Sequence, residues 1–392
     1  MSNIFVGING TAKRVSKAFV GVADTARKIK KAYIGVGGTA RLCYVSSGGT
    51  VNYYGTATPL SQPRAASSGA TAGEYAIFVG GDSGSVTDSV YNTTDAYSQA
   101  LVRTAATSIS SRSGAAAVSA SGSAIFAGGY RSPSASTNYP RSSSSVEKFS
   151  PTLEKTTLAA LAETAADVAG AQCGTSAFFA GGMNYNDAVE TLLDSVCVYD
   201  ADGVKTSASP LSSARYGCGG AACGTNALFG GGKAASDMTD VIDVYASDGT
   251  RTSSLTLSAP MCPTCASTPR GAVFFPGVYN SKKSPVGVAD CFDSALVRHA
   301  VTLPSPVYRA SQGAALGDIA MFAGVATAGF SVPSAEVIAI DTSSFTLVDA
   351  PSMSSARLRS AAAVTGAYAI FAGGQTAATS GVCDTADVYF IS

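Results

Sequence analysis

A six-residue motif, Ala76-Ile-Phe-Val-Gly-Gly81, returns six more times along this chain at nearly even intervals. Its copies are Ala124-Ile-Phe-Ala-Gly-Gly129, Ala177-Phe-Phe-Ala-Gly-Gly182, Ala227-Leu-Phe-Gly-Gly-Gly232, Val273-Phe-Phe-Pro-Gly-Val278, Ala320-Met-Phe-Ala-Gly-Val325 and Ala369-Ile-Phe-Ala-Gly-Gly374. The first glycine, or its equivalent, falls at 80, 128, 181, 231, 277, 324 and 373, giving spacings of 48, 53, 50, 46, 47 and 49 residues. So steady a period marks a radial or solenoid array, in which each unit buries its apolar face only against its neighbours.

Each unit carries further matching segments. A second strand-like run follows the glycines: Asp88-Ser-Val-Tyr91, Ser145-Val-Glu-Lys-Phe149, Asp194–Tyr199, Asp240–Tyr245, Val288–Phe292, Ala335–Ile338 and Thr385–Tyr389. Another follows it, as in Ala100–Thr104, Gly203–Thr206 and Ser344–Val348. Then comes a turn that often holds an arginine fourteen residues before the motif phenylalanine (Arg64, Arg112, Arg215, Arg357), with Arg309 at thirteen. These arginines repeat with the units and read as structural. A run of small residues such as Gly114–Val118 or Ser360–Val364 precedes the motif. Four strands per unit make the blade of a β-propeller. The stretch Leu153–Ala171 has a helix-like composition, but its place in the repeat says strand.

The last unit stops one strand short, after Val388-Tyr-Phe-Ile391. Val51–Pro59 is the spare strand, and pairing the two would join the first and last blades and leave no open edge. The expected fold is all-β: a seven-bladed propeller over residues 46–392, closed by an N-terminal strand. Glycine pairs ending the second strand, an aromatic residue in the third and an arginine before the first resemble the kelch repeat. That resemblance covers 46–392; the tryptophan of typical kelch blades is absent throughout, and blades five and six lack the second glycine.

Residues 1–45 hold a different repeat, of period fourteen: Phe5–Val15, Phe19–Ile29 and Tyr33–Leu42. Asn9-Gly10 and Gly37-Gly38 are two-residue turns flanked by β-branched residues, which predicts three short hairpins in a small β-meander. Eight of the chain's 26 basic residues lie here against Asp24 alone, a net charge of +7, while the remainder carries −7. Because the lysines and arginines sit inside a regular repeat, a solvated face is the expectation and nucleic acid is not. The segment is similar to N-terminal segments of tail proteins from phages and prophages of Gram-positive gut bacteria. The resemblance implies a particle-anchoring module, with Phe5, Phe19 and Tyr33 at its repeated aromatic position.

The start of the chain lacks the basic and apolar regions of a secretory signal, and no apolar run is long enough to span a bilayer. Synthesis in a host cytoplasm without a signal peptide, and no membrane insertion, are the expectations. Nine cysteines scattered through small and apolar strings read as buried thiols. Cys262-Pro-Thr-Cys265 lacks a second ligand pair for zinc, since His299 is the only histidine. No metal, no cofactor and no catalytic residue is expected; the one histidine excludes a copper site of two histidines and two tyrosines, and no nucleophile elbow is present. Carboxylate pairs for glycoside cleavage could be drawn from Asp82, Asp88, Asp187 and Asp237.

Binding is expected on the face that gathers the loops between second and third strands. These vary most, and they place Tyr130, Arg131, Asn138, Tyr139 and Arg141 in blade 2, Asn184, Tyr185, Asn186 and Asp187 in blade 3, and Tyr279 and Asn280 in blade 5. Aromatic rings with amides and carboxylates suit sugars. The reading is a non-enzymatic virion protein, homo-oligomeric in its particle, attached through residues 1–45 to other virion proteins and binding host-surface glycan or protein through the propeller. The alternatives are a decoration protein that does not bind host, a glycan-cleaving enzyme, and an intracellular kelch scaffold.

Overall fold

The computed structural model describes residues 49–392 apart from 86–88, 134–139, 187–188, 279–282 and 377–380, together with the backbone of six strands between residues 5 and 45. From residue 51 onward the chain forms seven four-stranded antiparallel sheets, the blades of a propeller, and no helix occurs among the described residues. Blade 4 is representative: Gly219–Cys223, Asn226–Gly230, Val241–Tyr245 and Arg251–Thr256, paired in chain order from the axis outward. The seven innermost strands begin at Ser68, Ala116, Ala169, Gly219, Thr264, Gly313 and Ala361. Each touches the innermost strand of the next blade, and the seventh touches the first, so the ring closes.

Close convergence at the axis explains the small residues there. A Cβ added at Gly69 would collide with the carbonyl of Ala362, and one at Gly220 with that of Gly170. The second strand is sandwiched between neighbouring blades and buried on both faces, hence its unbroken apolar run: Ala76, Ile77, Phe78 and Val79 are all buried. In five blades the motif phenylalanine meets an aromatic ring of the third strand edge-on, as in Phe78–Tyr97 and Phe371–Tyr389, both at 5.8 Å between centroids, and in blade 5 the preceding Phe274 does so with Phe292. Such pairs contribute about 0.5–1.5 kcal/mol beyond the area they bury. Blade 6 lacks that partner, and Phe322 stacks instead on Phe275 of blade 5.

The glycine pair welds blade to blade. In five blades the second glycine donates its N–H to the carbonyl of the next blade's turn: Gly81 to Arg112, Gly129 to Ala165, Gly182 to Arg215, Gly232 to Met261 and Gly374 to Arg64. The first glycine holds φ near +60° and lies so close that a Cβ on Gly373 would stand 2.5 Å from the Arg64 carbonyl. Blade 5 keeps the same bond through Val278, which donates to Tyr308, so its missing glycine does not break the ring.

Four arginines bolt the turns to their blades. Arg64, Arg112, Arg215 and Arg357 are at most 1% exposed, and each donates to the carbonyl of its motif phenylalanine. Each also meets an acid in the third strand: Asp95 at 2.9 Å, Glu147, Asp243 at 2.8 Å and Asp387. Blades 3 and 6 have neither partner, carrying Cys197 and Ile338 where the acid would stand. Blade 5 keeps the acid without the bolt: the buried Asp290 accepts from the Ser258 N–H and hydroxyl, and its nearest cation among the described residues, Arg298, is 3.9 Å away.

The terminal closure is as expected. Val51–Ala57 supplies the outer strand of blade 7, pairing Val51 with Ile391 and Ala57 with Ala386. One expectation needs correction. The third strand of blade 1 is Thr94–Tyr97, not Asp88–Tyr91; Val90 makes only an isolated bridge to Asp82. Physically, Thr94–Tyr97 supplies both the acid for Arg64 and the ring for Phe78, which the earlier run cannot. At the N-terminus, the strands form three separate hairpins (Phe5–Ile8 with Thr11–Arg14, Phe19–Val22 with Thr25–Lys28, Lys31–Val36 with Thr39–Val45), with no ladder joining them among the described residues. The turns Asn9-Gly10 and Gly37-Gly38 lie outside the described residues. The stretch Leu153–Ala171 contains the outer strand Lys155–Thr157 and the start of an inner strand, without a helix.

Candidate functional site

An axial channel runs through the ring as a chain of cavities that share walls. The mouth lies on the face that carries the variable loops and has a volume of about 420 Å³. The adjoining cavity at mid-depth has a volume of about 310 Å³, and the next, toward the far face, about 570 Å³. Gln312 stitches three blades across it: its side-chain oxygen accepts from the N–H groups of Gly69 and Ala362, and its nitrogen donates to the Gly69 carbonyl.

The mouth is ringed by the residues that follow the turns into each inner strand. Five of these seven positions are left-handed: Ala66, Gly114, Asp167, Gly217 and Arg359, with φ between 47° and 63°. Several are linked edge to edge, Ala66 donating to Arg359, Gly114 to Ala66 and Gly217 to Asp167. For Ala66, Asp167 and Arg359 the conformation costs about 1 kcal/mol or more each, and backbone strain of this kind gathers where function or closure demands it.

Asp167 and Arg359 bring charge to this ring. Arg359 is held by the buried Asp82 at 2.6 Å and donates also to the Gly84 carbonyl, tying blade 7 to blade 1. Asp167 accepts a hydrogen bond of 2.6 Å from the Tyr130 hydroxyl, tying blade 3 to blade 2. Removal from water raises the Asp167 carboxyl above the usual range, although Tyr130, Arg359 and Arg309 all pull it down. The Tyr130 phenol is raised in turn by burial and by Asp167.

Beside the mouth stands an asymmetric wall. The loops of blades 2 and 3 rise as small ribbons, Tyr130–Arg131 pairing with Arg141–Ser142 and Met183–Asn186 with Val189–Leu192. Ser142 clamps them together, accepting from the Tyr185 N–H at 2.8 Å and donating to the Met183 carbonyl at 3.0 Å. This brings the Tyr130 and Tyr185 rings to 5.8 Å between centroids at a 48° tilt.

Of the site residues expected from sequence, Tyr130 and Tyr185 are therefore gathered at the mouth. Arg131 and Arg141 face each other across one ribbon, with Arg131 exposed. Asn184 is spent locally, accepting from Thr164 at 3.0 Å, and Asn186 ends the blade 3 ribbon strand. Asn138, Tyr139, Asp187, Tyr279 and Asn280 lie outside the described residues, as do the side chains of Phe5, Phe19 and Tyr33. Among the carboxylates considered for cleavage, Asp82 is bound by Arg359 and Asp237 by Lys283 at 2.6 Å; Asp88 and Asp187 lie outside the described residues. His299 stacks on Phe345 in the outer strand of blade 5 and contacts Asp293.

Arg309 corrects the sequence reading. It is not one of the blade bolts: Tyr308 occupies that position and accepts the weld from Val278. Arg309 pairs with Ala326 as Ala65 pairs with Asp82 and Tyr216 with Lys233, one residue further on, and so its side chain lines the channel mouth. Two sequence signals marked it: a spacing of thirteen in place of fourteen, and Ile338 where a bolt would need an acid. Asp167 and Arg359 were missed altogether, because no motif distinguishes a polar residue in a left-handed rim position from one in a solvated turn.

The eight described cysteines are unpaired thiols, five of them buried. Burial pushes the Cys262 thiol up to about 12 and Cys223 up to about 11. Among the described residues no group of three or more His, Cys, Asp or Glu side chains is placed to hold a metal ion. No protein-family model matches the chain, and no curated protein matches it.

Proposed function

We propose that this is a non-catalytic binding protein whose propeller takes a surface glycan at the channel mouth, beside the tyrosine pair. The observation that carries the reading is the Tyr130–Tyr185 pair, clamped by Ser142 at the edge of a polar cavity. Tyrosine rings present apolar faces to the C–H side of a pyranose while nearby carboxylate and guanidinium groups take hydroxyls. The ribbons that hold them are the most irregular part of an otherwise repetitive ring, as expected of recognition mounted on a rigid scaffold.

The kelch-like pattern and the tail-protein-like repeat of residues 1–45 support the wider reading. In it the protein is a phage virion component, anchored to other virion proteins by its N-terminal hairpins and presenting the propeller to the host in several copies. Multiple weak sugar contacts then combine through effective concentration. The test is peptide mass spectrometry on density-purified particles from a producing culture. Recovery of the chain at an abundance comparable to structural virion proteins supports the virion reading; its absence from particles, with the chain present in cells, removes it and leaves an intracellular binding scaffold. Should particles contain the chain but fail to bind host cells through it, the decoration reading takes its place.

A further inference from the structure

We propose that Arg309, at the channel mouth, is the carboxylate-binding residue of a site for an acidic sugar. This rests on the glycan-binding reading above and names the class of glycan.

Three charged side chains and one tyrosine line the mouth, and all but Arg309 already have protein partners. Arg359 is neutralised by Asp82, and Asp167 and Tyr130 bind each other. Arg309 has no ion pair and no side-chain hydrogen bond among the described residues; its guanidinium carbon lies 4.8 Å from the centre of the Phe330 ring. Packing and the nearby Arg359 charge push its pKa down to about 10, and Asp167 offsets this only in part. Every other inward-facing arginine of the ring, Arg64, Arg112, Arg215 and Arg357, has its acid. Phe330 covers the guanidinium from one side, and Arg309 lines the cavity, where a guanidinium can grip a carboxylate with two parallel hydrogen bonds.

Asp167 narrows the ligand. It lines the same cavity and feels the Arg309 charge, so a doubly charged phosphate or sulfate would meet a like charge. A single carboxylate flanked by hydroxyls avoids this: Arg309 takes the carboxylate, and Asp167 accepts from a neighbouring hydroxyl. Tyr130 lines the same cavity, and Tyr185 stands beside it at a 48° tilt, a ring to pack against the pyranose.

The experiment titrates the full-length protein, by saturation-transfer NMR, with the methyl glycosides of galacturonic acid, glucuronic acid and N-acetylneuraminic acid, and with those of galactose and glucose. At least one acidic glycoside is expected to bind about 10-fold or more tightly than the neutral ones, the value of one charge-assisted contact. Arg309→Ala is expected to abolish that preference and Arg309→Lys to restore part of it, with melting temperatures unchanged because Arg309 bolts nothing. Equal binding of acidic and neutral sugars overturns the inference while leaving glycan binding intact. A preference that survives Arg309→Ala overturns it too, by placing the site elsewhere. Binding to an acidic peptide with none to any glycoside overturns both this inference and the glycan reading.

Discussion

Arg112 and Glu147 show what a single buried pair does in this ring. Burial alone would raise the Glu147 carboxyl, but the Arg112 guanidinium and Ser110 outweigh it and hold it below the usual carboxylate range. Asp95 is held low in the same way, against burial, by Arg64, Arg103 and Ser61. The folded-state pKa is thus depressed relative to the unfolded chain, so these groups contribute stability above the unfolded carboxylate range, about 4. That stability is lost as pH falls through the lower folded-state values. Thermal melting is expected to be flat from neutrality to mildly acidic pH and to fall steeply below about pH 4. Arg112→Met should cost about 3–5 kcal/mol in a urea titration, by leaving Glu147 buried and unpaired. Arg112→Met with Glu147→Leu should recover most of the loss, as blades 3 and 6 already manage without a pair. A double variant no better than the single one would show that the pairs do more than satisfy each other. This pairing was legible in part. The arginines stood out by their spacing of fourteen, but their acids did not, because partners 28 to 35 residues away are joined only by the fold.

At the scale of the strand, closure depends on one element taken from the opposite end of the propeller chain. Val51–Ala57 covers the edge of Val382–Ile391, and Tyr53 donates to Asp387 at 2.6 Å in the place where other blades use an outer-strand arginine or lysine. Removing residues 1–58 should expose that edge, lower the melting temperature and promote association through open strand pairing, read by light scattering. Removing residues 1–45 leaves every strand of the seven blades in place and is expected to preserve cooperative melting; loss of melting in that variant would show that the hairpins are part of the ring. Gly373→Ala tests the weld: a Cβ facing the Arg64 carbonyl, at a backbone φ of 65°, should cost about 1–3 kcal/mol. The closing strand and the positions of the glycine pairs were legible because both follow from counting repeats; the welds those glycines make to the next blade were not. The third strand of blade 1 was not, since Asp88-Ser-Val-Tyr91 and Thr94-Asp-Ala-Tyr97 are equally strand-like until Arg64 and Phe78 choose between them.

Across the whole molecule, seven near-identical blades build a symmetric frame, and asymmetry enters at one mouth. There the ribbons of blades 2 and 3 raise a tyrosine pair, strained turns bring in Asp167 and Arg359, and a one-residue slip in blade 6 releases Arg309 from the frame. Sequence located the face and two of its tyrosines. It could not show that turns from blades 3, 6 and 7 converge on one cavity, because the repeat that makes the ring readable also makes their rim residues look alike. The most direct measurement is binding of the full-length protein to an array of bacterial surface glycans, alongside Tyr185→Ala. Retention of a defined subset of glycans is expected, with loss in Tyr185→Ala at an unchanged melting temperature. No glycan retained, or the same glycans retained by the folded variant, would contradict the assignment of the mouth as a sugar site.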